Sequence, residues 1–409
     1  MIDVKKIRKD FRILDNTKMQ DNDLIYFDSA ATSLKPQCVI DAMNEYYYKY
    51  NSNVHRGDYD LAYFADTAFE KTREKVASFI NASNNEIVFT SGTTNGLNMI
   101  ALGYVLNNLN KGDEIILNVA EHASNILPWI NVAKKKDAII KYVPLDENGK
   151  VTIDNLSKVI TKKTKYLPIA YVSNVLGAKN DIKAITSFAH KNNIIVILDA
   201  AQAIPHMKVD IKDLDVDFMC FSGHKMCGPN GVGVLYGKYD LLDKMETINM
   251  GGGMNAKFSK DDFILKKPPY KFEGGTPAIA EVIGLGIAID YLNNIGLDNI
   301  EEYEKELKTY ALNKLSKLDN VILYNNNESG LITFNIKDVF CQDAGSYFNS
   351  KGIALRSGHH CAKLLPEYLN VVGTVRASLY FYNTKEEIDK FVEVCSHGGE
   401  FLDAFFKWS

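Results

Sequence analysis

Between about residue 70 and residue 240, strand-like and helix-like runs alternate, and this constrains the fold more than any other feature of the chain. Apolar runs at 86–90, 113–117, 139–143, 167–172, 194–199 and 216–221 read as buried strands. Residues 66–79 and 182–191 carry apolar positions at helical spacing between them. Buried strands joined through helices need crossover connections, so the pattern predicts an α/β domain around a large, mainly parallel sheet. Such sheets bind ligands beyond the carboxyl ends of their strands. The residues just after each run are therefore the first place to look for chemistry.

Beyond residue 290 the pattern changes. Residues 284–291 read as a long helix leading out of the first domain, and 301–318 as a charged amphipathic helix. Segments 331–335, 344–350, 353–356 and 374–379 then mix strand and helix character, which suggests a smaller α+β domain. The expected division is an N-terminal arm over 1–22 packing on the small domain, a large domain over 23–292, and a small C-terminal domain over 293–409. Tyr46-Tyr47-Tyr48 reads as a packed helix face. A net charge of −4 gives no electrostatic reason to expect nucleic acid or an anionic membrane as partner. No run reaches the roughly 18 apolar residues of a membrane span, and the first residues lack the apolar core of a secretion signal. The six cysteines, at 38, 220, 227, 341, 361 and 395, form no CxxC pair. Neither a disulfide framework nor a zinc knuckle is indicated, and a reducing cytoplasm is the expected compartment.

Two strand ends carry complementary groups. The 216–221 run is followed by Ser222-Gly223-His224-Lys225, and the 194–199 run ends in Asp199. A lysine at a strand end, beside a hydroxyl and an imidazole, is placed to form a Schiff base with an aldehyde cofactor. Pyridoxal phosphate needs such a lysine on its aldehyde carbon and an acid against its pyridinium nitrogen. Ser91-Gly92-Thr93-Thr94-Asn95 follows the 86–90 run and opens a helix. Its backbone N–H groups and the Thr93 and Thr94 hydroxyls make a phosphate cradle, to which Ser222 and His224 add donors; read alone, it is also an ordinary N-cap turn. It lacks the GK[ST] ending of a Walker motif. His122 could lie on an aromatic cofactor and move protons, or pack at a helix start. Asn174 could bond a substrate carboxylate or form a turn. Gln202, three residues past Asp199, could reach a cofactor oxygen.

A second cluster lies far along the chain, in Arg356-Ser357-Gly358-His359-His360-Cys361-Ala362. It follows a strand and precedes Lys363-Leu364-Leu365, read as a helix start, so that Cys361 would sit as a thiol at a helix N-terminus near basic groups. Zinc is the competing explanation, but adjacent side chains diverge and no fourth ligand is near. Arg376 ends a strand-like run and suits bidentate capture of a carboxylate, or an exposed salt bridge.

Taken together, the chain resembles the cysteine desulfurases of the class V aminotransferase family, most nearly the group II, SUF-type enzymes. The resemblance rests on Tyr26-Phe27-Asp28-Ser29-Ala30-Ala31, Asn53-Val54-His55-Arg56-Gly57, Gly92-Thr93-Thr94, Glu121-His122, Ser173-Asn174-Val175-Leu176-Gly177, Asp199-Ala200-Ala201-Gln202, Ser222-Gly223-His224-Lys225, Phe272-Glu273-Gly274-Gly275-Thr276-Pro277 and Arg356-Ser357-Gly358-His359-His360-Cys361. It implies a fold type I homodimer with a mainly parallel seven-stranded sheet and pyridoxal phosphate at the subunit interface. It makes Lys225 the Schiff-base lysine, Asp199 the pyridinium partner, His122 the stacking base and Gln202 the donor to the phenolic oxygen. Thr93, Thr94, Ser222 and His224 become phosphate ligands, with Thr276 reaching the phosphate in the partner subunit. Asn174, Arg356 and Arg376 become substrate-binding residues, joined by His55 and Arg56. Cys361 becomes the carrier of a persulfide drawn from L-cysteine and passed to a SufE- or SufU-type acceptor for iron–sulfur cluster assembly. L-selenocysteine is the alternative substrate of the same site. Kynureninase-like hydrolysis and epimerisation need no thiol acceptor, so Cys361 argues against them. The chain departs from the family at 395–409, where Gly398 and Gly399 interrupt an expected helix.

Overall fold

The computed structural model describes residues 2–325 and 329–397. Seven strands form the main sheet: β1 (Ile87–Thr90), β2 (Glu114–Leu117), β3 (Ile139–Tyr142), β4 (Thr164–Ala170), β5 (Ile195–Asp199), β6 (Phe218–Ser222) and β7 (Gly233–Gly237). Their order is β1-β7-β6-β5-β4-β2-β3. All run parallel except β7, which lies antiparallel between β1 and β6. The sequence pattern predicts turn over 228–233 and no strand at β7. The link from Ser222 to Gly233 is too short for a crossover, so the chain can only double back. Strands β1, β2, β6 and β7 are buried at every position, as a sheet covered on both faces requires, whereas the edge strand β3 is exposed or half-buried. Strand β4 begins three residues before the expected run and contains Pro168, which pairs with Ile197 of β5. On its other side the ladder to β2 reaches only Tyr166, so the missing proline N–H leaves no rung unmade.

The helix Ile279–Ile295 is apolar nearly all round and packs between Gln37–Lys49 and Asp60–Ile80. Helix Gln37–Lys49 corrects one expectation. Tyr46 is buried, but Tyr47 and Tyr48 are 52% and 84% exposed, because successive helical residues point about 100° apart.

After the helix Leu297–Leu315, a four-stranded antiparallel sheet forms from β8 (Val321–Leu323), β9 (Leu331–Ile336), β10 (Arg356–Gly358) and β11 (Thr374–Ser378), in the order β8-β9-β11-β10. Its core is Leu307, Leu315, Phe334, Phe348 and Phe391. The run expected as one strand at 353–356 splits. Ile353–Ala354 pairs with Ile25–Tyr26, while Arg356–Gly358 joins the sheet. The N-terminal segment lies against this region: Phe11 is fully buried against Tyr382 and Phe381, and Arg8 donates to Tyr382 O and Glu387 Oε1. The helix Lys385–Ser396 starts with a capping box between Thr384 and Glu387. Gly398 and Gly399 lie outside the described residues. All six cysteines are free thiols. Among the described residues no helix is long and apolar enough to cross a membrane.

Candidate active site

The carboxyl ends of β1, β2, β4, β5 and β6 open on a cavity of about 180 Å3, and the second sheet closes its far side with Arg356 and Arg376. A larger cavity of about 350 Å3 shares Ala30, Val172 and Gln202 with it but contains neither Lys225 nor Asp199. The reactive groups gather in the smaller one.

Lys225 ends a 3-10 turn that follows β6 directly. Lys225 is half-buried and lines the cavity. Burial pushes its pKa down to about 8; Asp199 opposes this, and Arg376 and Arg356 add to it. About a tenth of it is therefore unprotonated, and nucleophilic, at pH 7, far more than for an ordinary lysine. Asp199 is the last residue of β5, buried, with Oδ1 accepting from the Ala201 N–H at 3.0 Å. Burial raises its pKa and Lys225 lowers it.

The phosphate end is built from small groups. Gly92 caps the helix Thr93–Ile100 at φ 143°, and a Cβ there would come 3.3 Å from Ser222 Oγ. A Cβ on Gly233 would come 2.5 Å from Gly92 Cα, so β7 can pass this close only as glycine. Ser222 Oγ takes the Thr93 N–H at 2.8 Å and pairs with Thr93 Oγ1 at 2.7 Å. Thr94 Oγ1 pairs with Ser124 Oγ at 2.7 Å. Burial, then Lys225 and Lys35, push the His224 pKa down to about 4. A glycine-walled pocket at a helix start, rimmed by hydroxyls, with an amine and a carboxylate further in, fits the phosphate, aldehyde and ring nitrogen of pyridoxal phosphate.

His122 follows β2 and caps the turn Ala123–Asn125. Its Nδ1 accepts the Ser124 N–H at 3.1 Å, which puts the ring proton on Nε2. Burial, and then the charges of Lys225, Arg356 and Arg376, lower its pKa to about 4, so the ring is neutral.

At the substrate end, β10 and β11 are in register with Arg356 directly opposite Arg376. Like charges in that arrangement repel. Asp28 offsets the repulsion by accepting from Arg376 Nη2 at 3.1 Å, while Nη1 donates to Asn174 O at 2.8 Å. Arg356 Nη2 donates to Cys361 Sγ at 3.1 Å. Lys225 and Asp199 thus line one small space, and Cys361, distant in sequence, sits at its edge beside Arg356.

Residues 25–391 match the family described as aminotransferase class-V. A probable cysteine desulfurase of Halalkalibacterium halodurans is 49% identical over 94% of this chain and 95% of its own. One from Staphylococcus aureus is 45% identical over 99% and 98%. Among solved structures, the cysteine desulfurase CsdA of Escherichia coli superposes with a TM-score of 0.91 at 37% identity, covering 98% of this chain and 99% of that one. The apo cysteine desulfurase of Thermococcus onnurineus gives 0.90 at 38%, covering 97% and 98%.

The chain belongs to the class-V aminotransferase family.

In this family member the thiol's surroundings differ from the sequence reading in one respect. Cys361 does not cap a helix: the nearest helix, Leu365–Tyr368, starts four residues later, with Pro366 in its first turn. The Arg356 guanidinium is the cation beside the sulfur. The loop is held by its backbone instead. Cys361 O accepts from the Ala123 N–H at 2.7 Å and His360 O from Asn174 Nδ2 at 2.8 Å, with both loop residues in the left-handed region at φ 59° and 50°. Asn174 thus spends one amide N–H on the loop, and its Oδ1 is buried without a partner. Gln202 likewise donates Nε2 to Ala30 O at 2.8 Å.

Besides Cys361, three expected site residues lie outside the cavity lining. Thr276 Oγ1 accepts from Asn53 Nδ2 at 3.1 Å, Arg56 Nη2 donates to Gly275 O at 3.2 Å, and His55 Nε2 lies 3.3 Å from Glu70 Oε1. None lines the cavity. Four residues went unassigned in the sequence. Asp28 partners Arg376, Ala30 bonds Gln202, and Ser124 serves both Thr94 and His122. Glu121 is buried and accepts from Asn118 Nδ2, Asn125 Nδ2 and the Ala170 N–H, fixing the turn that carries His122. Burial pushes its pKa up to about 7. Asparagines three before and four after a glutamate were its available signal.

Proposed function

We propose that the protein is a pyridoxal-phosphate-dependent cysteine desulfurase of group II, which converts L-cysteine to L-alanine and holds the released sulfur on Cys361. The observation that carries this reading is that the Lys225 amine and the Asp199 carboxylate line one cavity together with Arg356, whose guanidinium holds the Cys361 thiol at 3.1 Å. Pyridoxal phosphate supplies an aldehyde carbon for the substrate amine and an electron sink for its Cα. Thr93, Thr94, Ser222 and His224 hold the phosphate, and Asp199 keeps the ring nitrogen protonated. Arg376, already oriented by Asp28 and Asn174 O, takes the substrate carboxylate. Lys225, released as a free amine, removes the Cα proton. Cys361 Sγ, beside the Arg356 guanidinium, attacks the substrate sulfur: an S–S bond forms, the Cβ–S bond breaks with its electron pair passing to carbon, and the three-carbon product leaves as L-alanine after protonation. His122, with its proton on Nε2 and Nδ1 occupied, offers a hydrogen bond from Nε2. The short segment between β10 and Leu365 supports the group II assignment.

A second copy of the chain would bring Thr276, His55 and Arg56 to the site, and a SufE- or SufU-type acceptor would take the sulfur toward cluster assembly. Incubating the holoenzyme with L-cysteine should add one sulfur to the peptide bearing Cys361, by mass spectrometry, and release L-alanine. Cys361→Ala should keep the yellow absorbance of the bound cofactor and lose alanine production from L-cysteine. Alanine released by that variant at the parent rate would refute the reading. Undiminished turnover of L-selenocysteine by it would favour the selenium substrate.

A further inference from the structure

Lys35 is a half-buried ammonium with no ion-pair partner within 4.0 Å among the described residues. Its Nζ donates to three oxygens: His224 O at 2.8 Å, Thr32 Oγ1 at 3.2 Å and Ser33 O. Burial lowers its pKa to about 8, with Cys227 opposing. The His224 carbonyl is crowded. Besides Lys35, it receives Thr32 Oγ1 at 3.0 Å, the Ser33 N–H at 3.0 Å and Ser33 Oγ at 3.1 Å. A carbonyl oxygen has two lone pairs, so these donors share it, and the charged one at 2.8 Å is the strongest. On the other side of Lys225, Ser33 Oγ accepts the Cys227 N–H at 2.7 Å. Residues 32–35 therefore clasp the turn just before and just after the Schiff-base lysine.

The same strand of chain continues back to Ala30 and Ala31, which line the cavity, and to Asp28, which holds Arg376. One segment thus fixes both the amine and the guanidinium. A neutral donor would suffice to satisfy a carbonyl. Burying an ammonium without a carboxylate is costly, and it places a positive charge at the peptide that joins His224 to Lys225.

We propose that Lys35 is a positioning residue: its bond to the His224 carbonyl sets the Lys225 backbone, and so aims the Lys225 amine between Asp199 and the arginines. The inference rests on Lys225 being the imine-forming lysine. The groups that face the amine are Asp199, Arg376, Arg356, Cys361 and His122, with His224 beside it; those that face Lys35 are Cys227 and His224.

The test compares holoenzyme forms of the parent, Lys35→Met and Lys35→Arg by the pH midpoint of the yellow band, by kcat and KM separately, and by melting temperature. Lys35→Met should move the midpoint by about half a pH unit or more. It should lower kcat about tenfold while KM for L-cysteine stays within about twofold. Lys35→Arg should recover most of both. A parent-like midpoint and kcat in Lys35→Met overturn the proposal, whatever happens to the melting temperature. If Lys35→Met does not fold, Ser33→Ala, which removes the one hydroxyl that bonds on both sides of the clasp, should shift both readouts in the same direction by less; parent values there overturn it equally. Absence of a yellow band in the parent itself would count against Lys225 as the imine-forming residue, a separate failure.

Discussion

His360 shows how one side chain beside the site ties folding to pH. It is 2% exposed, with Nε2 donating to Thr374 O at 2.9 Å and Nδ1 buried without a partner. Burial, and then the arginines 376 and 356, hold its pKa near 3, so a proton would put a third cation beside two others. The folded pKa lies below the unfolded value of about 6.5, so between those values the unfolded chain binds a proton that the native one refuses. Stability is full above pH 6.5 and falls as pH drops. From pH 7 to pH 5 the loss from this residue is about 2 kcal/mol. Urea unfolding of the parent and of His360→Gln at both pH values should show that much less pH dependence in the variant. Equal dependence in the two would contradict a neutral His360. Lys225 and Asp199 were legible in the sequence because each stands at or just beyond the end of an apolar run. Asp28 and Glu121 were not, because a carboxylate's partners are chosen by packing.

Strand β7 decides the phosphate end. It was not expected, since Gly231-Val232-Gly233 reads as turn, yet it runs between β1 and β6 and brings Gly233 against Gly92. Gly233→Ala would push a methyl into the Gly92 backbone at 2.5 Å, a contact that must be relieved by moving the cradle. Overpacking of this kind costs about 1–3 kcal/mol. The expected result is cofactor affinity weakened by about fivefold or more, measured as cofactor retained after dialysis. Full retention would mean the cradle does not set the binding. The β10–β11 pairing makes a similar point. Both arginines were visible as strand residues, but only the register places them face to face.

At the scale of the molecule, much of the exposed apolar surface is aromatic. Tyr48 on Gln37–Lys49, and Tyr59, Tyr63 and Phe64 at the start of Asp60–Ile80, are more than half exposed, and Phe258 is 80% exposed on the hairpin of Asn255–Phe258 and Phe263–Leu265. A folded chain seldom leaves so much apolar surface to water unless another surface covers it. With the second copy proposed above, replacing both Tyr63 and Phe64 by Glu should shift the species seen by light scattering from the two-chain to the one-chain mass. Turnover should fall with it, since Thr276 would lose its partner site. A parent protein that is monomeric and fully active would remove that role from Thr276.

The sequence alone settled the α/β class, the main helices and the chemical types available at each strand end, because these depend on periodicity and composition within a few turns or strands of chain. Tertiary structure decided which of those groups meet. The antiparallel β7, Arg356 set against Arg376, Asp28 chosen to hold them, and a cysteine loop tied to the His122 turn all depend on register and packing between distant segments. Such contacts form only when the whole core closes, so no local stretch of residues carries them.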